Sequence, residues 1–177
     1  RTYDFQLVAS RRLSEVSSFR LRSYPSFVAG VELPQSLRRK GLQLPEEGNP
    51  RSRELARQLA AQYGDPRAIA QAMLTMFREQ PFVYTLDPPK LAENAMDEFL
   101  FETRRGFCEH YASAFTVVMR AAGVPARVVT GYQGGEFNPL GGYLIVRQSD
   151  AHAWSEIWIE GRGWLRVDPT AAVAPER

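Results

Sequence analysis

The hydrophobic period of this chain changes at Gly123-Val124-Pro125, and that change constrains the fold more than any other feature. Before it, residues 52–63, 66–78 and 112–122 carry apolar side chains at helical spacing; after it, the pattern alternates with period two. Residues 126–132, 143–147, 151–160 and 163–168 read as four strands, and Gly161-Arg162-Gly163 as a hairpin turn. Helices followed by consecutive antiparallel strands predict an α+β fold.

The first helix carries Leu55, Leu59 and Tyr63 at a spacing of four, which predicts its inward face. Asp65-Pro66 supplies an N-cap and a proline at the first position of the second helix, with Ile69, Met73, Met76 and Phe77 inward. Residues 81–86 read as extended, 87–94 as a loop around Pro88-Pro89, and 97–101 as one helical turn. The segment 133–142, with four glycines and a proline, reads as a loop between the first two strands. Toward the N-terminus, 3–8 and 19–24 alternate as half-buried strands do, before Pro25, Pro34, Pro45 and Pro50 mark a turn-rich stretch. The predicted organisation is an appendage over 1–48 packed on a core over 49–177, forming one compact unit.

A length of 177 residues suits one domain. The 22 basic and 20 acidic residues leave a net charge of +2, too balanced to imply nucleic acid or membrane lipid as partner. No apolar run approaches the ~18 residues that a membrane-spanning helix needs. A single cysteine excludes an internal disulfide without fixing the compartment. The chain starts at Arg1, and the expectation is of a piece of a longer protein.

That cysteine, Cys108, follows Gly106-Phe107 and stands where the helix over 112–122 begins. Unpaired N–H groups and the dipole of a helix N-terminus favour the thiolate, the nucleophilic form. His152 and Asp168 follow, and cysteine, histidine and aspartate are the parts of a nucleophilic site. Small Ala151 and Ala153 leave His152 room to meet a thiol, to take its proton and later to protonate a leaving amine. His110, two positions beyond Cys108 on one helix, points elsewhere and reads as structural. Asp168 is the expected orienting carboxylate, with Asp150 its competitor. A plain two-residue turn at Gly161-Arg162 would set Asp168 opposite Ser155, about three residues (~10 Å) from His152, so the assignment requires a bulge or a longer turn. Trp154 lies on the His152 side of its strand and is expected to wall the cleft. For an oxyanion, the backbone N–H of Cys108 is the better candidate donor and Tyr84 a second. Glu93, Asp97 and Glu98 do not form a calcium loop, and no Cys/His pair has zinc spacing.

Gly106-Phe107-Cys108, the stretch Asp150-Ala151-His152-Ala153-Trp154-Ser155-Glu156-Ile157-Trp158 and the stretch Gly163-Trp164-Leu165-Arg166-Val167-Asp168-Pro169-Thr170 resemble the transglutaminase-like superfamily. Cys108-Glu109-His110-Tyr111-Ala112 and the segment 19–24 look most like a bacterial subgroup, inner-membrane proteins with a periplasmic transglutaminase-like domain. The resemblance implies a papain-like core, with the nucleophile-bearing helix packed on an antiparallel sheet. It implies Cys108 as nucleophile, His152 as base and Asp168 as orienting carboxylate. It further implies a periplasmic domain reaching the membrane only through segments absent from this chain. The implied reaction joins a glutamine side chain, as donor, to a primary amine through a thioester. Animal members use calcium; no metal and no cofactor are carried over. Two alternatives keep the same residues: a hydrolase of peptide or cell-wall peptide amides, and a non-catalytic binding module.

Overall fold

The computed structural model describes residues 30–173 and, ahead of them, isolated positions 12, 14, 15, 18, 20, 22, 24 and 28. The strand expected over 3–8, and half of the residues of that over 19–24, lie outside the described residues.

Helix α5 (Cys108–Ala121) is the centre of the molecule. Tyr111, Ala112, Ala114, Phe115, Thr116, Val118 and Met119 are all buried on it, so most of its circumference is apolar, as expected of a helix enclosed on several sides. Helices α2 (Pro50–Tyr63) and α3 (Pro66–Glu79) cover one flank. On the other lies an antiparallel sheet of order β3-β6-β7, built from Ala126–Tyr132, Ala151–Ile159 and Gly163–Val167. The α+β architecture is therefore as expected, and Asp65 caps α3 as its sequence predicts, its carboxylate accepting from the Ala68 N–H.

The inward face of α2 differs from expectation. Ser52 and Ala56 are fully buried, whereas Leu55 and Leu59 are only partly buried and Tyr63 is 43% exposed. Small side chains let α2 lie close on α5, so size rather than hydrophobicity selects the contact face. The first turn of α2 is held from outside: Asp97 accepts from the N–H groups of Arg51 and Ser52, while Asn49 Oδ1 accepts from the N–H groups of Met96 and Asp97. Two helix N-termini thus exchange caps. One belongs to the short α4 (Ala95–Glu98), which runs into a π-helical turn at Phe99–Thr103 in place of the single turn expected over 97–101.

Two elements arise in stretches read as irregular. Helix α1 (Gln35–Leu42) forms between Pro34 and Pro45, with Pro34 at its N-cap. Its Gly41 is buried against Pro125, where an added Cβ would come within 3.0 Å of the proline ring. Likewise, the segment 133–142 contains a strand, β4 (Glu136–Asn138), which pairs with β5 (Tyr143–Ile145) as a separate hairpin. The segment over 143–147 therefore does not join the main sheet. The remaining strands, β1 (Val83–Tyr84) and β2 (Arg105–Gly106), form a two-residue parallel ladder ending just before Cys108.

Candidate active site

Cys108 is the first residue of α5, a position whose N–H has no partner within the helix. It is 8% exposed and packs with Ala112, Ala153, Tyr84 and Phe107. The β1–β2 ladder is what brings Tyr84 here. Desolvation pushes the Tyr84 phenol up, and the charge of Cys108 adds to this, while the Cys108 backbone N–H donating toward the phenol oxygen acts the other way.

Gly106 contributes space for side chains. A Cβ there would lie 2.6 Å from His110 Cγ and 3.0 Å from a Phe99 ring carbon. The glycine makes room for His110, which turns back so that its Nδ1 accepts from the Phe107 N–H at 3.4 Å. The ring also meets Phe107 edge-on, with centroids 4.6 Å apart. His110 is accordingly a helix-capping and packing residue, and burial lowers its pKa.

His152 sits on β6 opposite Gly131 of β3, and its Nε2 lies 2.8 Å from Asp168 Oδ2. The turn length explains this contact. Ile159 pairs with Gly163, so the turn takes three residues, Glu160 to Arg162, rather than two. Val167 therefore faces Ser155, and Asp168 arrives one position nearer His152 than a two-residue turn would allow. Asp168 is fixed from its other side as well: Thr170 donates to Oδ1 from its hydroxyl at 2.6 Å and from its N–H at 3.2 Å. Burial alone would raise the Asp168 pKa, but the hydrogen bonds from Thr170 and His152 and the charge of His152 outweigh it and hold the carboxyl below its usual range. Asp150 is engaged elsewhere, accepting from the Arg147 N–H at 2.7 Å.

Trp154 stacks beside His152, with ring centroids 6.3 Å apart and planes 26° from parallel. Gly131 lies beneath the indole, where a Cβ would come within 2.8 Å. Arg166 covers Trp154, its guanidinium 4.4 Å from the ring, and reaches Gln133 Oε1 at 2.9 Å and Asp168 Oδ2 at 3.3 Å. Thr170, Arg166 and Gln133 carry no role in the sequence reading. Asp168-Pro169-Thr170 repeats the cap-then-proline signal of Asp65-Pro66, so the grip of Thr170 on Asp168 was available from that pattern.

Cys108 and His152 line one cleft of about 410 Å³, together with Tyr84, Leu86, Glu109 and Thr130 among others. The described hydrogen bonds of His152 use Nε2 alone. Among the described residues no group of three or more His, Cys, Asp or Glu gathers to hold a metal ion, and no helix is long and apolar enough to cross a membrane.

Comparison with known proteins bears on the same residues. The pattern of the transglutaminase-like superfamily matches residues 53–169. A Pseudomonas aeruginosa protein named protein-glutamine gamma-glutamyltransferase is 49% identical over 174 residues, which are 98% of this chain and 26% of that one. The Bacillus subtilis protein YebA is 35% identical over 136 residues, 73% of this chain and 18% of that one. The crystal structure of the periplasmic domain of TgpA from Pseudomonas aeruginosa superposes with a TM-score of 0.82 at 52% identity, covering 83% of this chain and 53% of that one. This chain thus spans about a quarter or less of these two curated relatives and about half of the solved domain. With the match to residues 53–169 and 49% identity to a curated relative, the chain belongs to the transglutaminase-like superfamily.

Proposed function

We propose that this chain catalyses cysteine-dependent acyl transfer from the side-chain carboxamide of a protein glutamine to a primary amine, with Cys108 as nucleophile, His152 as proton carrier and Asp168 as its orienting partner. The observation that carries the reading is the shared cleft: Cys108 at the N-terminus of α5 opens onto the same space as His152, whose far nitrogen is tied to Asp168. Glutamine as donor follows from the name of the Pseudomonas aeruginosa relative, and placement in the periplasm from the match to the periplasmic domain of TgpA.

The thiolate sulfur attacks the carboxamide carbon, and the carbonyl oxygen becomes an oxyanion. The Cys108 backbone N–H and the Tyr84 hydroxyl are the donors nearest the nucleophile. His152, protonated by the thiol, passes that proton to the departing nitrogen, and the C–N bond breaks to release ammonia. A thioester remains. An amine then attacks it, His152 accepts the amine proton, and the C–S bond breaks to free the sulfur. Asp168 holds the imidazole by Nε2 so that Nδ1 faces the reacting atoms, and it stabilises the imidazolium. Trp154 and Arg166 brace that arrangement from the solvent side.

The test is incorporation of a fluorescent primary amine into a glutamine-containing peptide, with ammonia followed in the same sample. Wild type should give both, and Cys108→Ala neither. Wild type that releases no ammonia from glutamine, or a Cys108→Ala protein that still does, would overturn the reading.

A further inference from the structure

We propose that Glu109 is the group of this cleft that recognises the charged end of the primary-amine acceptor. This rests on the acyl-transfer reading above and assigns a specificity residue for its second substrate.

Apart from His152, the cleft is lined by one charged side chain. Tyr84, Leu86, Phe107, Cys108, Thr130, Gly131, Ser149, Ala151 and Ala153 are neutral in their ordinary forms, no lysine or arginine lines it, and Glu109 is the single carboxylate. Glu109 directly follows the nucleophile, is exposed, and makes no ion pair among the described residues. The two carboxylates nearest in role are already engaged: Asp168 with His152 and Thr170, and Asp150 with the Arg147 N–H. A neutral carboxamide donor has no use for a negative charge beside the sulfur. An alkylamine does, because near neutral pH it exists almost wholly as its ammonium, with a pKa of about 10.4 for a lysine side chain. A carboxylate at the cleft mouth raises the local concentration of that cation and opposes the approach of anions.

Proton balance is kept. His152 is neutral once its proton has left with the departing nitrogen as ammonia. The bound ammonium has two protons to lose on becoming an amide nitrogen. One passes to solvent; the other goes to His152 as the C–N bond forms and the C–S bond breaks, which restores the sulfur anion beside an imidazolium.

A competing role for Glu109 is local, since a carboxylate in the first turn of α5 also complements the helix dipole. The experiment separates the two. A thioester formed on a glutamine peptide partitions between added amine and water, and that ratio does not depend on how fast the thioester forms. Partition is measured for wild type, Glu109→Gln and Glu109→Asp with a dansylated five-carbon diamine, whose free end is an ammonium, and with hydroxylamine, which is uncharged at mildly alkaline pH. Glu109→Gln should lower the alkylammonium ratio about three- to fivefold, the range of a solvent-accessible ion pair, and leave the hydroxylamine ratio unchanged. Glu109→Asp should recover part of the loss. Added salt should lower the alkylammonium ratio of wild type but not that of Glu109→Gln. Equal loss for both acceptors, an unchanged ratio with a lowered Tm, or a salt-independent wild type would overturn the proposal, and the wild-type salt series decides it even if the variants misfold. Absence of ammonia release from wild type would instead refute the acyl-transfer reading itself.

Discussion

His110 is enclosed by Phe99 and Phe107 above Gly106, whereas His152 meets a carboxylate, Asp168, and an indole, Trp154. These are the chain's two histidines, and both lie close to Cys108. One ring is spent on the helix terminus, accepting from the Phe107 N–H through Nδ1, with burial pulling its pKa down. The other presents Nε2 to Asp168 and lines the cleft beside Cys108. The imidazole next to the thiol in sequence is therefore a fastener, and the one from a distant strand lines the cleft, where the proposed reaction gives it the proton transfer. Proximity along the chain sets neither role; the partners of the two ring nitrogens do.

The contrast breaks most sharply under truncation. His152→Ala should lower kcat/KM for amine incorporation by about 10²–10⁴-fold, the usual contribution of a positioned acid–base group, with little change in Tm. His110→Ala should behave oppositely, keeping most activity per folded molecule while losing stability, because it leaves an unfilled space and an unpaired Phe107 N–H. Steady-state kinetics beside thermal melts on both variants read this out, and equal activity losses would erase the distinction.

A gentler perturbation presses on one histidine only. Gly106→Ala puts a methyl 2.6 Å from His110 Cγ and 3.0 Å from the Phe99 ring. Overpacking of this kind costs about 1–3 kcal/mol. For a chain of this length each kcal/mol lowers Tm by about 2–4 °C. A calorimetric Tm unchanged within a degree would mean the ring has slack that the geometry denies.

The smallest effect is in pH dependence. Because His110 is held below the ordinary imidazole range, the unfolded chain takes up that proton first as pH falls. The stability it provides is complete above about pH 6.5 and is lost as pH drops through the lower folded value. Asp168 is depressed in the same sense, so its contribution is complete above about pH 3.9 and is lost only on further acidification. Tm followed from neutral to acid pH should show His110→Gln flattening the upper decline and Asp168→Asn the lower one. A flattening in the wrong window for either variant would reassign the burial argument.

Much of this was legible in the sequence because local rules decide it. The Asp65-Pro66 start of α3, the strand over 126–132 and the helix beginning at Cys108 each follow from a cap, a period or a glycine near their ends. What escaped depends on partners distant in sequence. Helix α1 owes its place to Gly41 against Pro125, and the inward face of α2 to Ala56 fitting α5. The strand β4 exists through pairing with β5 across a glycine-rich stretch that reads as irregular by composition. In the site, Cys108, His152 and Asp168 stand out by residue type and order. The hold of Arg166 on Asp168 does not, since an arginine near a strand end has many commoner uses; that of Thr170 shows only as the cap-then-proline pattern of Asp168-Pro169-Thr170.

The turn at Glu160–Arg162 acts as a spacer gauge for the site. The distance from imidazole to carboxylate is written as a count of residues in a solvent-facing bend, far along the strands from either group. One residue more or less there re-phases β7 against β6 and carries Asp168 to the wrong side of the sheet, without altering any side chain in the cleft. Substitutions in that bend that respect the left-handed backbone at Gly161 leave this distance intact, whereas a change in its length does not.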